Sequence, residues 1–184
     1  KVHNHQTFSL LPQQEGANDE VRLNGAARVT IRDIPADNGV VHVIDLVLVP
    51  ARIQRAIETG EIDPEWVTPA PADDEMEDLD IPNAGALKSL SDTLAKTPIM
   101  QAMYELMEKG GHEQLIEDSK KGPFTVLAPA NTAFVGLGSS VELEIEQRPG
   151  FRETLVKYHI LDEAVYIQNM EVGVHEYWTI NNRT

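Results

Sequence analysis

The sequence predicts an α+β fold, and three observations support this class. Residues 19–50 alternate apolar and polar side chains and are broken by two tight turns, which is typical of strands. Residues 87–118 place apolar side chains at helical spacing between capping and breaking signals. Beyond residue 123, a short strand is followed by another amphipathic helix. The chain has 184 residues, which is enough for about one domain and some surplus.

The first predicted strands lie between residues 21 and 50. Asn24-Gly25 and Asp37-Asn38-Gly39 are turn signals that separate them. Residues 40–49 form a long β-branched, apolar run that ends at Pro50. Because both sides of this run are apolar, we expect it in a sheet that is covered on both faces.

Residues 51–86 are predicted to be a linker. Between Glu61 and Asp80 there are nine acidic residues and no basic one. Such a stretch repels itself and buries too little apolar surface to fold alone. The alternative is a calcium-attracting patch, although the spacing lacks the glycine and the terminal glutamate of the common calcium loop. Its candidate ligands are Asp73, Asp74, Glu75, Glu77, Asp78 and Asp80.

Three helices are predicted between residues 87 and 118. Ser91-Asp92 and Thr97-Pro98 indicate two helix starts, and Gly110-Gly111 indicates an end. An apolar stripe follows Thr97-Pro98 at helical spacing, and it predicts core packing rather than a cofactor site. Its members are Ile99, Met103, Leu106 and Met107.

The second half of the chain continues with one strand and one long helix. Residues 124–129 are a predicted strand that a proline ends, and Asn131 is the predicted cap of a helical turn. Residues 149–159 are a predicted amphipathic helix with one apolar face.

Charge and composition exclude several classes of function. The chain has no cysteine, which excludes disulfides and thiolate metal sites. Its net charge is −15, which argues against binding nucleic acid or docking on an anionic membrane. No run reaches the ~18 apolar residues that a membrane span needs. We expect a partner with a basic patch and salt-sensitive binding.

No catalytic arrangement is recognisable in the sequence. The serines lie in no nucleophile elbow, and there is no phosphate-binding motif or paired-carboxylate signature. His3 and His5 are explained more simply by an exposed strand or tail than by a metal site, and His42 by a hydrogen-bonded structural role. We therefore predict no enzyme, no cofactor and no metal. Asn182 begins an N-glycosylation pattern that matters only on a eukaryotic secretory route.

Three segments resemble characteristic segments of the fasciclin domain family. Residues 125–134, TVLAPANTAF, resemble the first, in which a strand ends at Ala-Pro before a capped turn. Residues 155–161, LVKYHIL, resemble the second, with its Tyr-His pair. Residues 21–50, which contain NGVVHVID, resemble the segment that closes the domain. The resemblance implies a fasciclin-like β-sandwich or wedge with a helical layer.

The closing segment precedes the segments that open the domain. Residues 1–50 are therefore predicted to be the C-terminal part of a fasciclin domain, and 87–184 the N-terminal and central part. Val2-His3 and Val174-His175 match at an offset of 172 residues, as do Thr7 and Thr179, which suggests one period of a tandem array. We expect a mature or trimmed piece of a longer protein.

Two architectures remain open from the sequence. In one, the missing parts of each domain are absent or lie in other chains. In the other, residues 1–50 complete the domain of residues 87–184, either by permutation within the chain or by exchange between copies. An unpartnered strand at residues 40–49 would expose a large apolar face, which favours completion.

The resemblance implies a non-enzymatic adhesion or interaction module in the extracellular matrix or at the cell surface. It also implies two partner-contact sites, one around the Tyr-His pair and one at an Asp-Ile dipeptide. Burial in the core is the alternative for these side chains. The candidates are Tyr158, His159, Leu155 and Ile160 in the first site, and Asp33 and Ile34 in the second.

Two other functions remain open. The first is an accessory extrinsic subunit of a large membrane-associated complex, in an organelle lumen such as the thylakoid lumen. The second is carbohydrate or small-ligand binding, for which aromatic residues are few. The adjacent pair Tyr177-Trp178 offers stacking surfaces, but a strand that buries a partner explains it as well. Copies of the chain itself are a further possible partner.

Overall fold

A computed structural model describes residues 5–11, 20–50, 88–118, 121–137, 145–147 and 149–180. The predicted linker with its candidate calcium ligands, His3 and the glycosylation candidate Asn182 lie outside these residues. So does the side chain of His5.

Seven strands form among the described residues, and most follow the predicted alternation. The long apolar run is a strand only as far as Ile44, because the backbone beyond it leaves the sheet and Leu48 donates its N–H to His159 instead. In chain order the strands are β1 (His5–Leu11), β2 (Glu20–Leu23), β3 (Ala27–Ala36), β4 (Gly39–Ile44), β5 (Phe124–Pro129), β6 (Ile160–Leu161) and β7 (Gly173–Trp178).

The seven strands belong to one mixed sheet, ordered β6-β5-β4-β3-β2-β1-β7. Only β4 and β5 are parallel, with Gly39 opposite Phe124 and Ile44 opposite Pro129. Strands from both sides of the predicted linker therefore share one sheet. At its two ends, Leu161 and Thr179 form a bridge, so the sheet closes on itself.

Five helices have defined bounds within the described residues, and most of their buried side chains pack on one side of the sheet. The predicted apolar stripe packs in the core: Met103, Leu106 and Met107 are buried in the second of them. Ile99 lies in the preceding 3₁₀ turn and is partly buried against the same core. The helices are α1 (Leu90–Lys96), α2 (Gln101–Lys109), α3 (Gln114–Glu117), α4 (Asn131–Val135) and α5 (Pro149–Tyr158). Short 3₁₀ turns lie at Pro98–Met100 and Ile167–Asn169.

Two apolar clusters pack against opposite faces of β4 and β5. Val41 and Val43 belong to the larger cluster, beneath the helices, whereas Ile44 belongs to a smaller one with Phe8 and Leu127. Every residue of β4 and β5 is buried. This confirms the expected sheet covered on both faces and gives the α+β class that the sequence predicted.

The structure corrects two predicted helix caps and confirms a third in position but not in its side-chain bond. α1 is capped by Ser89 rather than Ser91, and the Ser89 hydroxyl accepts the Asp92 N–H at 3.1 Å. Thr97 stands at the predicted N-cap position, with Pro98 at the start of the 3₁₀ turn, but its hydroxyl donates back to the Thr93 carbonyl instead of capping that turn. Asn131 lies one residue inside α4. Its side-chain oxygen accepts the Ala102 N–H of α2 and does not cap α4.

Candidate interaction site

The side chains around the Tyr-His pair lie in the core. Tyr158 is 6% exposed, Leu155 is 1% exposed, and His159 and Ile160 are fully buried. The same burial raises the pKa of the Tyr158 hydroxyl. In this fold these side chains present no contact surface. Their contact with a partner stays a prediction, and it would require the fold to open.

His159 joins the end of α5 to the segment that follows β4. Its Nε2 atom accepts the backbone N–H of Leu48 at 2.9 Å, and its Nδ1–H donates to the Leu155 carbonyl at 2.8 Å. These two bonds fix the neutral tautomer with its proton on Nδ1. The imidazole therefore braces two backbone segments.

His42, in the middle of β4, makes a second connection of this kind. Its Nδ1 accepts the Asp33 N–H at 3.0 Å, and its Nε2–H donates to the Val165 carbonyl at 2.8 Å. The hydroxyl of Thr125 holds the same segment, because it accepts the Val165 N–H at 2.8 Å. His42 thus has the structural role that its position in an apolar strand predicted.

Both residues of the Asp33-Ile34 dipeptide also have structural roles in the fold. Asp33 has a φ of 60°, and its carboxylate accepts the N–H groups of Ile167 and Gln168 at 2.7 and 3.0 Å. These groups belong to the start of a 3₁₀ turn, where backbone donors lack other partners. Ile34 is 5% exposed. Asp33 therefore anchors a distant turn, and Ile34 packs in the larger core.

Both buried imidazoles are held in the neutral state. Burial lowers the pKa of His159 to about 4, although the Leu155 carbonyl opposes the change. Burial also lowers the pKa of His42, against the opposing effects of the Val165 carbonyl and the Asp33 carboxylate. Protonation would place a hydrogen on the accepting nitrogen of each ring, where it would face the backbone N–H that this nitrogen now accepts. Neither ring is placed to transfer a proton to a substrate.

The described residues contain no group of three or more His, Asp or Glu side chains that could hold a metal ion. Within the same part of the chain, no helix is long and apolar enough to cross a bilayer. Several buried polar side chains are engaged with backbone groups, among them Thr125, His42 and Asn38. The Asn38 amide accepts the Leu90 N–H and donates to the Ile116 carbonyl, both at 2.9 Å.

Sequence reasoning missed an exposed apolar stripe beside β7. Val172, Val174 and Trp178 are 60%, 68% and 56% exposed. Tyr177 points inward and meets the ring of Phe8 edge-on, with 5.1 Å between ring centroids. The alternation of apolar side chains in residues 172–178 is the signal that could have predicted this stripe, whereas the sequence analysis used only the aromatic pair Tyr177-Trp178. These three side chains, here called the β7 outer stripe, are the most apolar exposed feature of the described residues.

A closed mixed sheet beneath a helical layer, with histidines that serve the fold, defines the class of this protein. The Fasciclin domain family model matches residues 3–50 and 98–183, which is more than half of the chain. The chain therefore belongs to the fasciclin domain family. No curated protein and no solved structure gives a significant match.

Fasciclin domains are generally involved in adhesion and protein–protein interaction, and they are typically non-enzymatic. They are typically extracellular or associated with the cell surface. The family thus points to a surface that contacts other proteins.

Proposed function

We propose that this chain is a non-enzymatic interaction module that contacts other proteins in the extracellular matrix or at the cell surface. One observation carries the proposal. The chain belongs to a family of interaction domains. In agreement with this, the two fully buried histidines of the described residues, His42 and His159, are bonded at both ring nitrogens to backbone groups. The outer surface of the domain, rather than a reactive site, then carries the function by contacting other proteins.

An attachment assay tests this proposal. Cells of the source organism are plated on surfaces coated with the chain, and the attached fraction is compared with an albumin coat. We expect attachment to the native chain and to the Gly150→Ala variant, whose new methyl group meets no atom within 4 Å. Attachment should be lost with Gly39→Ala, which disrupts the sheet. Equal attachment to albumin and to the native chain would contradict the proposal.

We also propose that residues 1–50 complete the domain of residues 87–184 within one chain. The parallel pairing of β4 with β5 supports this, as do the bonds from Leu48 to His159 and from His42 to Val165. In addition, β1 pairs with β7, with His5 opposite Trp178. The predicted linker, at residues 51–86, then connects two halves of one sheet.

A second candidate function is that of an accessory extrinsic subunit of a membrane-associated complex in an organelle lumen. The net charge of −15 favours it, because an acidic subunit is held by a basic patch. Membranes prepared at low ionic strength should then retain the protein. About 1 M NaCl should release it, since charges are screened beyond ~3 Å there. Recovery of the protein only outside the cells would contradict this alternative.

A further inference from the structure

We propose that Asn24 is a modification site that deamidates spontaneously in the folded protein, through a succinimide formed with the backbone nitrogen of Gly25. The isoaspartate that results loosens the pairing of β1 with β2. The inference concerns how long the fold stays intact, and it goes beyond the proposed interaction function.

The reaction needs an asparagine followed by a residue that leaves its backbone nitrogen accessible. The Gly25 nitrogen loses its proton and forms a bond to the side-chain carbonyl carbon of Asn24. The bond from that carbon to the amide nitrogen breaks, and the amide leaves with the proton as ammonia. Water then opens the succinimide ring at either carbonyl and gives aspartate or isoaspartate. Glycine suits the second position, because it has no side chain to shield the nitrogen.

The chain contains two Asn-Gly pairs, and the first lies in an exposed turn. Asn24-Gly25 connects β2 with β3, and Ala26 donates its N–H to the Leu23 carbonyl across the turn at 3.0 Å. Asn24 and Gly25 have φ values of 52° and 73°, as a two-residue hairpin turn requires. Both residues are exposed, and a Cβ atom added at Gly25 would meet no atom within 4 Å. Water and base therefore have access to the reacting groups.

The second pair, Asn38-Gly39, lies in the core. Asn38 is 4% exposed. Its side chain accepts the Leu90 N–H and donates to the Ile116 carbonyl, and its backbone carbonyl accepts the Phe124 N–H at 3.1 Å. The pair is thus held by three segments outside its own hairpin. It provides an internal control with the same two residue types.

The two pairs differ in the opening that the reaction requires. Asn24 is bonded to β1, because its N–H donates to the Thr7 carbonyl at 2.8 Å and its side-chain oxygen accepts the Thr7 N–H at 3.0 Å. These bonds lie at the tip of a hairpin, which opens locally at a far lower cost than the core. Asn38 becomes reactive only when the core around it opens. Asn24 therefore reacts from an otherwise folded chain.

Isoaspartate at position 24 changes the contact with β1. The backbone then runs through the former side chain and is longer by a methylene group, so the two bonds to Thr7 cannot both keep their geometry. Thr7 precedes Phe8, which is fully buried and lies opposite Leu23 in β2. Phe8 and Leu23 belong to the smaller apolar cluster. The modification at an exposed turn therefore disturbs packing in the core.

Peptide mapping of aged protein tests the inference. The chain is kept folded at mildly alkaline pH, digested with trypsin and analysed by liquid chromatography and mass spectrometry. Cleavage at the flanking arginines places each Asn-Gly pair in its own peptide, residues 23–28 and 33–52. We expect Asn24 to convert at least about tenfold faster than Asn38 in the folded chain. In urea that unfolds the chain, the two rates should become similar.

Two variants separate the steps of the inference. His159→Phe, which removes a buried hydrogen-bond acceptor, should speed the conversion of Asn38 by about 30-fold and leave the rate at Asn24 unchanged. Hydrogen exchange of the Thr7 amide should become faster once Asn24 has converted. Asn24→Asp is the matched control, because it introduces the charge without the longer backbone. Exchange at Thr7 should stay slow in this variant.

Three outcomes would overturn the inference. The first is an Asn24 that converts no faster than Asn38 in the folded chain. The second is a rate at Asn24 that rises with that at Asn38 in His159→Phe, since the reaction would then require global unfolding. The third is Thr7 exchange that conversion leaves unchanged, or that Asn24→Asp changes equally. The proposed function is tested separately, because the attachment assay uses freshly prepared protein.

Discussion

The Nε2 atom of His159 accepts the backbone N–H of Leu48 at 2.9 Å, across 111 residues of sequence. This bond links the part of the chain before the predicted linker to the part after it. His42 makes the reciprocal link, since it lies before the linker and donates to the Val165 carbonyl. Two buried imidazoles therefore hold the two parts of the fasciclin fold together, and substitutions at these links test that account.

Replacing His159 with phenylalanine keeps a flat aromatic ring but removes the Nε2 acceptor and the Nδ1–H donor. The buried Leu48 N–H then lacks a partner, so we expect the free energy of unfolding to fall by about 2 kcal/mol. Urea unfolding at neutral pH measures the change. His175→Gln is the control, because His175 is only half-buried and glutamine keeps a side-chain donor for the Glu171 carbonyl, so we expect a change within about 0.5 kcal/mol. Equal losses in the two variants would contradict the account.

Stability should fall in acid. The pKa of His159 is about 4 in the folded state, against about 6.5 when exposed. Between these values the unfolded chain binds a proton that the folded chain excludes, so stability rises with pH. We expect about 3 kcal/mol to be present above pH ~6.5 and to be lost as the pH falls toward 4. His42, whose pKa is also lowered, acts in the same direction.

Urea unfolding of the native chain and of His159→Phe, followed across this pH range, isolates the effect from the carboxylates that titrate near pH 4. The variant should lose stability less steeply than the native chain. Parallel curves for the two proteins would mean that His159 does not contribute to the acid sensitivity.

Gly39 allows the close approach of β4 and β5. A Cβ atom there would lie 2.0 Å from the Phe124 carbonyl oxygen, and the φ of 157° strains any other residue. We expect Gly39→Ala to cost about 3 kcal/mol or more, because the clash is with backbone. Thermal unfolding compares it with Gly150→Ala, which has open space and should be neutral or slightly stabilising. A Gly39→Ala protein as stable as Gly150→Ala would argue against the parallel pair.

The amide of Asn38 satisfies groups on two helical segments. Asn38→Ala leaves the Leu90 N–H and the Ile116 carbonyl without this partner, and we expect a loss of about 2–3 kcal/mol. The adjacent Asp37→Ala removes an exposed side chain and should change stability by less than about 0.5 kcal/mol. Chemical denaturation of the pair measures the difference, and a loss that is no larger at Asn38 would refute this role.

Much of the fold was predictable because its signals are local. The turn at Asp37-Asn38-Gly39, the buried strand before Pro50 and the methionine stripe of α2 all follow from periodicity and turn chemistry. The predicted starts of the helices were less accurate than the predicted strands and turns. Ser91 and Ser89 both suit a cap, and only the path of the preceding chain decides between them.

The candidate site was less predictable because exposure depends on partners distant in sequence. Tyr158 and Trp178 are both aromatic residues beside a polar neighbour, yet one packs in the core and the other faces outward. That difference arises from the pairing of β7 with β1, more than 160 residues apart in the chain. The parallel contact of β4 with β5 likewise has no local signal.

The most direct test of the account is a disulfide between Ser9→Cys and Val174→Cys. These residues lie opposite each other in β1 and β7, which brings their Cβ atoms to about 4.5–5.5 Å. The chain has no other cysteine, so any disulfide reports this pair. We predict an intramolecular disulfide in a monomer of about 20.4 kDa, seen by intact mass and by non-reducing electrophoresis. A disulfide-linked dimer, or two free thiols after oxidation, would contradict completion of the domain within one chain.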